Sequence, residues 1–402
     1  MAVEFFTGFE PGLNVASGDW YDTSATPPSI STSTVRNGAR SMRFPLTGAR
    51  WVRRRFATPP ATASYVFYIR FDAVDPSFTV GVFDVSNSAQ SKNVNVLAVT
   101  DAGSNLSLKI RIYDGVSTFD TTPVSGFLQD TSYRVELKYD WSGAAWKVTW
   151  GTAAGDASLT THDTDFTGGN AAGAGTQDYV LLGSSGTGFL TDFYIDDFAM
   201  SNSGSDFPIG PSKVMPFVPD ARGTHNLDAS PSSFWFQHDG VTPTALTTAE
   251  STSYSRIDDA PLLGSTDYLY GTGTPGGTQY AEYTFPPGSG IPDAVRVIES
   301  VRQATAGGSH YTSKITDDGG VSLTTIQSAL DPNSASEVTK QAVALSKPSG
   351  GAWTSAAFDA LAYRWGLTAD ATPEIRLYAV MLEVLYPVEA SASGGMTLLG
   401  VH

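Results

Sequence analysis

Residues 106–115 read LSLKIRIYDG, with Leu106, Leu108, Ile110 and Ile112 on one side of an extended chain and Lys109 and Arg111 on the other. A period of two marks a half-buried strand. Comparable runs fill the first half of the chain: Ser41–Phe44, Arg50–Phe56, Tyr65–Phe71, Phe78–Val85, Val94–Thr100, Tyr133–Tyr139, Trp146–Trp150, Tyr179–Leu182 and Phe189–Met200. Gly, Asn, Asp, Ser or Pro separates most of them. Short strands at this spacing predict a sandwich or barrel.

Residues 133–151, YRVELKYDWSGAAWKVTWG, read as a hairpin with its tip at Ser142-Gly143-Ala144-Ala145. Residues 202–230 carry Pro208, Pro211, Pro216 and Pro219 with Gly204, Gly210 and Gly223, so an extended linker is expected over 206–230. Further strand-like runs follow at Gln279–Phe285, Ala294–Gln303, Tyr311–Ile315, Val321–Thr325, Gln341–Leu345 and Arg376–Tyr386. One segment differs. In WTSAAFDALAYRWG, Trp353, Ala357, Leu361 and Arg364 fall at helical spacing, Thr354 can cap, and Gly366 can end the helix. The expected fold class is all-β: a jelly-roll-type β-sandwich over 1–205, the Pro/Gly-rich linker, a second β-sandwich with one short helix over 231–388, and a tail over 389–402.

Composition narrows function. The 402 residues hold 40 Asp and Glu against 24 Lys and Arg, a net charge of −16. Such a surface repels a phosphate backbone, so no nucleic-acid partner is expected. With no cysteine, disulfides, thiolate metal sites and thiol nucleophiles are excluded. MAVEFFTGFEPG lacks the basic and apolar regions of a signal peptide. No apolar run reaches the roughly 18 residues of a membrane span, so no membrane insertion is expected.

Several stretches carry a family resemblance. FFTGFEPG, NGARSMRFP, the 133–151 hairpin and FYIDDFAM occur in the order met in concanavalin A-like lectin/glucanase jelly rolls of the laminin-G-like form, which residues 1–205 resemble. In the second half, FWFQHDG, residues 254–270, AEYTFPP and AWTSAAFDAL resemble a domain of bacteriophage structural proteins. The combination implies a non-enzymatic component of a tailed-phage virion, assembled in the host cytoplasm. A minor tail or tail-fibre protein is the first expectation. Its expected partners are other virion proteins, copies of itself in a homo-oligomer with a trimer favoured, and a host cell-surface glycan. A head-decoration protein and the carbohydrate-binding module of a secreted protein are the alternatives.

FYIDDFAM poses a physical question. Neighbouring side chains of a strand face opposite ways, so the buried face receives one of Asp196 and Asp197. The resemblance implies a structural calcium ion between Glu10, near the first strand, and Asp196 or Asp197, with oxygen ligands that offset the burial of a carboxylate. The alternative is one Asp satisfied by backbone N–H groups and the other solvated. RWVRRRF sets Arg50, Arg53, Arg54 and Arg55 in one strand, either a docking strip for an acidic partner or a solvated face. Trp141 beside a turn, with Trp20 and Tyr21 in a loop, are candidates to stack on a sugar, whereas Trp146 and Trp150 read as core. Hydrolases of the resembled family carry E-x-D-x-x-E or E-x-D-x-E on a strand. VELKYD offers Glu136 and Asp140 without the intervening Asp, so no catalytic residue is expected.

Overall fold

The computed structural model describes residues 3–9, 22–45, 48–55, 60–72, 74–87, 89, 91–141, 143, 145–169, 177–184, 192–227, 235–241, 243–246, 252–258, 266–273, 279–303, 310–332, 336–367 and 371–388. These form four antiparallel sheets and, among the described residues, one α-helix, Ser355–Asp359. The fold class is all-β, as the alternation predicts.

The first sheet runs in the order Thr160–Gly168, Trp146–Ala154, Tyr133–Asp140, Thr62–Phe71, Phe193–Ser201, Ser41–Phe44, Ser29–Ser31, and Val3–Thr7 also pairs with Phe193–Ser201. The second runs Thr118–Asp120, Leu106–Tyr113, Asn93–Thr100, Thr79–Asn87, Gln177–Ser184, Arg50–Arg55, Asp22–Thr23, with Val124–Phe127 on Leu106–Tyr113. Their inner faces meet in an aromatic core. Phe67 of the first sheet stacks on Phe83 of the second with centroids 5.1 Å apart, and Trp146 and Trp150 have no exposed surface. Burying a side chain of this kind contributes roughly 2–3 kcal/mol. Leu106, Leu108, Ile110 and Ile112 point into this core, and Lys109 and Arg111 point out.

The third sheet runs Pro243–Ala245, Trp235–Asp239, Asp267–Gly273, Ala371–Pro387, Ala294–Gln303, Val338–Ala344. The fourth runs Ala221–Arg222, Ala281–Thr284, Ala362–Leu367, Tyr311–Thr316, Thr324–Leu330. Trp235 of one meets Trp365 of the other edge to face, 5.4 Å between centroids.

Two segments depart from expectation. Within the expected linker, Ser212–Phe217 is a strand of the third sheet, paired from Ser212↔Pro387 to Phe217↔Leu382. It takes an edge position, where Pro216 is tolerated. The helix expected through Arg364 stops at Asp359, although Thr354 caps it through a 3.1 Å bond from the Ala357 N–H. Ala362–Leu367 is a strand instead. Tyr363, Trp365 and Leu367 alternate into the core, and Arg364 on the other face pairs with Glu282. Packing at period two overrides the apparent helical spacing.

The sandwiches meet in a buried joint. Val3, Phe6, Val66, Tyr68 and Ala199, on the outer face of the first sheet, pack with Val214, Ala294 and Leu385 of the third. The outer face of the second sheet points the opposite way.

Candidate functional site

A β-bulge answers the paired aspartates. The pairing of Phe193–Ser201 with Thr62–Phe71 shifts between Asp196 and Ala199, and Asp197 adopts a φ of 47°. A bulge breaks the alternation of faces, so both carboxylates enter one buried cluster. Asp196 accepts N–H bonds from Asp197 at 2.8 Å and Arg36 at 2.9 Å. Asp197 accepts the Val214 N–H at 2.6 Å and the Asn37 side-chain amide at 2.8 Å, and it ion-pairs with Arg36. The Arg36 guanidinium also lies over the Tyr68 ring, 3.3 Å from its centroid, and pairs with Asp156. Burial pushes both aspartates up; the Asp197 charge adds to this at Asp196, and Arg36 opposes it at Asp197. Arg36 supplies the cation here, and N–H donors take lone pairs that a calcium ion would need. Glu10 lies outside the described residues. Among the described residues no three metal-binding side chains gather.

Trp141, expected at the surface, is 7% exposed and stacks on Trp146 at 4.5 Å. Its backbone N–H donates to the Ala61 carbonyl at 2.9 Å, which folds the residue back onto the core. Trp20 and Tyr21 lie outside the described residues. The four arginines do not form one strip, because alternation divides them. Arg54 turns inward, its guanidinium 3.9 Å from the centroid of the core residue Phe5, on the side of Arg50 and Val52. Arg53 and Arg55 face outward with Trp51. Glu136 has no exposed surface and lies 2.9 Å from Arg134, in no cleft.

The row to which Arg53 belongs escaped the sequence reading. Strand register sets Asp120, Arg111, Asn95, Asp84, Leu181 and Arg53 side by side across six strands of the second sheet, on its outer face. All are half-buried except the exposed Asp120. Arg111 grips Asp120 with two bonds of 2.7 and 2.8 Å, and Lys109 adds a third of 2.5 Å. Arg111 above all holds the Asp120 carboxyl down at about 2. Asp84 differs: burial pushes it up to about 7, against side-chain hydrogen bonds with Ser86, Asn93 and Asn95. The Arg53 guanidinium lies 5.3 Å from the Trp51 ring and 4.6 Å from the Tyr179 ring. The row thus joins carboxyl, amide and guanidinium groups to the half-buried Trp51 ring and to Tyr179, which is buried with the Arg53 guanidinium over it. Its signal in the sequence was the polar outward positions of FDVSN and NVNV at 83–87 and 93–96.

No family model and no curated protein matches the sequence. Solved structures similar in fold include a xylan β-1,4-xylosidase from Bacillus halodurans, 11% identical with a TM-score of 0.31, the match covering 40% of this chain and 32% of that one. Another is the catalytic domain of a glycoside hydrolase family 131 protein from Coprinopsis cinerea, 14% identical, TM-score 0.35, covering 52% and 97%. A third is tailspike protein 2 of an Escherichia coli bacteriophage, 10% identical, TM-score 0.29, covering 46% and 27%. This chain therefore spans 32% of the xylosidase's length. At such identities and TM-scores no activity is carried across. The neighbours named are mainly glycoside hydrolases and lend no support to the expected non-enzymatic virion component, so that expectation is not retained.

Proposed function

We propose that the chain is a glycan-binding protein whose first sandwich takes an oligosaccharide across the outer face of its second sheet. The observation that carries this is the in-register row from Arg111 through Asn95 and Asp84 to Arg53, bordered by Trp51 and Tyr179. Sugars present both hydroxyls and apolar ring faces, and fixed polar groups beside aromatic rings meet both needs. An apolar ligand would leave the polar groups of the row unmet. The test is affinity electrophoresis of the full chain in gels holding xylan, mixed-linkage β-glucan or mannan. Retardation by at least one, lost in Trp51→Ala and Asp84→Asn, is expected. Equal mobility of wild type and both variants in every gel overturns the reading.

One observation favours a second reading, proton transfer to a glycosidic oxygen. The half-buried Asp84 carboxyl, raised to about 7 by burial, holds a proton suited to general acid work. Its row partner Asp120 stands three strand spacings away, roughly 14 Å, beyond the roughly 5–9.5 Å that separates paired carboxylates in glycosidases. Release of reducing ends by wild type but not Asp84→Asn decides for this reading.

A further inference from the structure

We propose that the second sandwich carries a separate glycan site, specific for acidic sugars, on the outer face of the third sheet. The joint occupies one end of that face, at Ala294, Arg296, Glu383 and Leu385. At the other end, register places Phe236, Tyr270, Arg376 and Arg302 in one row across four strands. His238 stands beside Tyr268 in the next.

The rings are ordered. Phe236 stacks on Tyr270 with centroids 4.9 Å apart and 13° between planes, and His238 stacks on Tyr268 at 4.7 Å and 4°. Phe236, His238 and Tyr270 are half-buried, so their rings reach the surface. The far sides of Phe236 and His238 face Ala245 and Pro243 of the edge strand, which are too small to cover them. Farther along the row the Arg376 guanidinium lies 4.5 Å from the Tyr268 centroid and is neutralised by Glu374.

Arg302 is the informative residue. Its only ring neighbour among the described residues is Tyr378, 5.7 Å away, and its Nε is buried without a hydrogen-bond partner. It forms no ion pair among the described residues. Arg302 is thus a half-buried guanidinium that meets no carboxylate among the described residues. An unmet charged donor at a half-buried position favours an anionic guest. The rings ask for a flat apolar face, and Arg302, about two strand spacings or roughly 10 Å from Tyr270, asks for a carboxylate. A chain of uronic acids offers both at once. This choice of ligand rests on the glycan-binding reading of the first sandwich, but the site shares no residue with it.

The experiment is affinity electrophoresis of the full chain in gels holding polygalacturonate, alginate or hyaluronate, beside the neutral gels used for the first sandwich. Retardation by at least one acidic polymer, falling with added salt, is expected. Arg302→Gln should weaken it by about tenfold or more. Tyr270→Ala, a second variant that leaves the charge in place, should weaken it as well, while Trp51→Ala should not. Thermal unfolding of each variant at the wild-type midpoint establishes that the fold is kept. No retardation by any acidic polymer, or retardation unchanged in both Arg302→Gln and Tyr270→Ala, overturns the proposal. Full competition by poly-glutamate also overturns it, in favour of an acidic protein partner. A defect confined to Trp51→Ala in the neutral gels bears on the first sandwich alone.

Discussion

The Arg296 guanidinium lies 2.5 Å from the Glu383 carboxylate, and neither side chain has exposed surface. Both belong to the second sandwich, yet they hold the first. The Thr7 hydroxyl and the Gly8 N–H donate to Glu383 at 3.1 and 3.0 Å, and Arg296 donates to the Phe6 carbonyl at 2.9 Å. Removing one partner of such a pair strands a buried charge. Arg296→Met should therefore cost about 3–5 kcal/mol in denaturant unfolding. Combining Arg296→Met with Glu383→Leu should recover part of that loss, because no charge is then left behind. A double variant as unstable as the single one would show that lost packing, not a stranded charge, is responsible.

Glu299 is a second buried acid, held by the hydroxyls of Tyr311 at 2.8 Å and Tyr363 at 2.9 Å. Burial pushes it from the usual 4.5 up to about 7. The folded state then binds the proton more tightly than the unfolded chain. Its contribution is fully present below about 4.5 and is lost as pH rises through about 7, a change of about 3 kcal/mol. Glu299→Gln should flatten the stability profile between those limits, measured by urea unfolding at a series of pH values. An unchanged slope would exonerate this residue.

Asp84 gives the glycan site its own pH response. Its carboxyl, raised to about 7 by burial, gains a proton as pH falls and then accepts fewer hydroxyl donors. Retardation in the neutral-polysaccharide gels should strengthen between about pH 6 and pH 8. Asp84→Asn, which has no carboxylate to ionise, should show no retardation at either end of that interval. Binding that weakens over the same interval would reverse the assigned role and favour the protonated carboxyl as the binding form.

Gly183, in the strand next to Arg50–Arg55, has a φ of +93°, and a Cβ there would collide with the Arg50 carbonyl and the Phe44 ring. A backbone oxygen in a ladder cannot move aside. Gly183→Ala should lower stability by at least about 2 kcal/mol, read as a fall in the unfolding midpoint. A neutral substitution would mean that the strand relaxes there.

Alternation made the sheets legible: the faces of Leu106–Tyr113 follow directly from LSLKIRIY. What alternation could not supply was register. Asp84, Asn95 and Arg111 lie at unremarkable distances along the chain and become neighbours only when three strands align. The same limit hid Arg36, which is remote in sequence from Asp197 yet serves as its counter-charge. The bulge at Asp197 was equally invisible, since nothing in FYIDDFAM announces a positive φ at an aspartate. Trp141 misled for a simpler reason: a residue next to a turn reads as exposed until its ring is seen lying on Trp146.

The bond from Val214 to Asp197 has a consequence for how such a chain could arise. Val214 is ladder-paired with Leu385, so one short strand answers to both halves at once. A gene cut at that point would not yield two portable modules. Recombination would have to carry the pair as a unit, and lineages that exchanged only one half would inherit a raw, sticky flank.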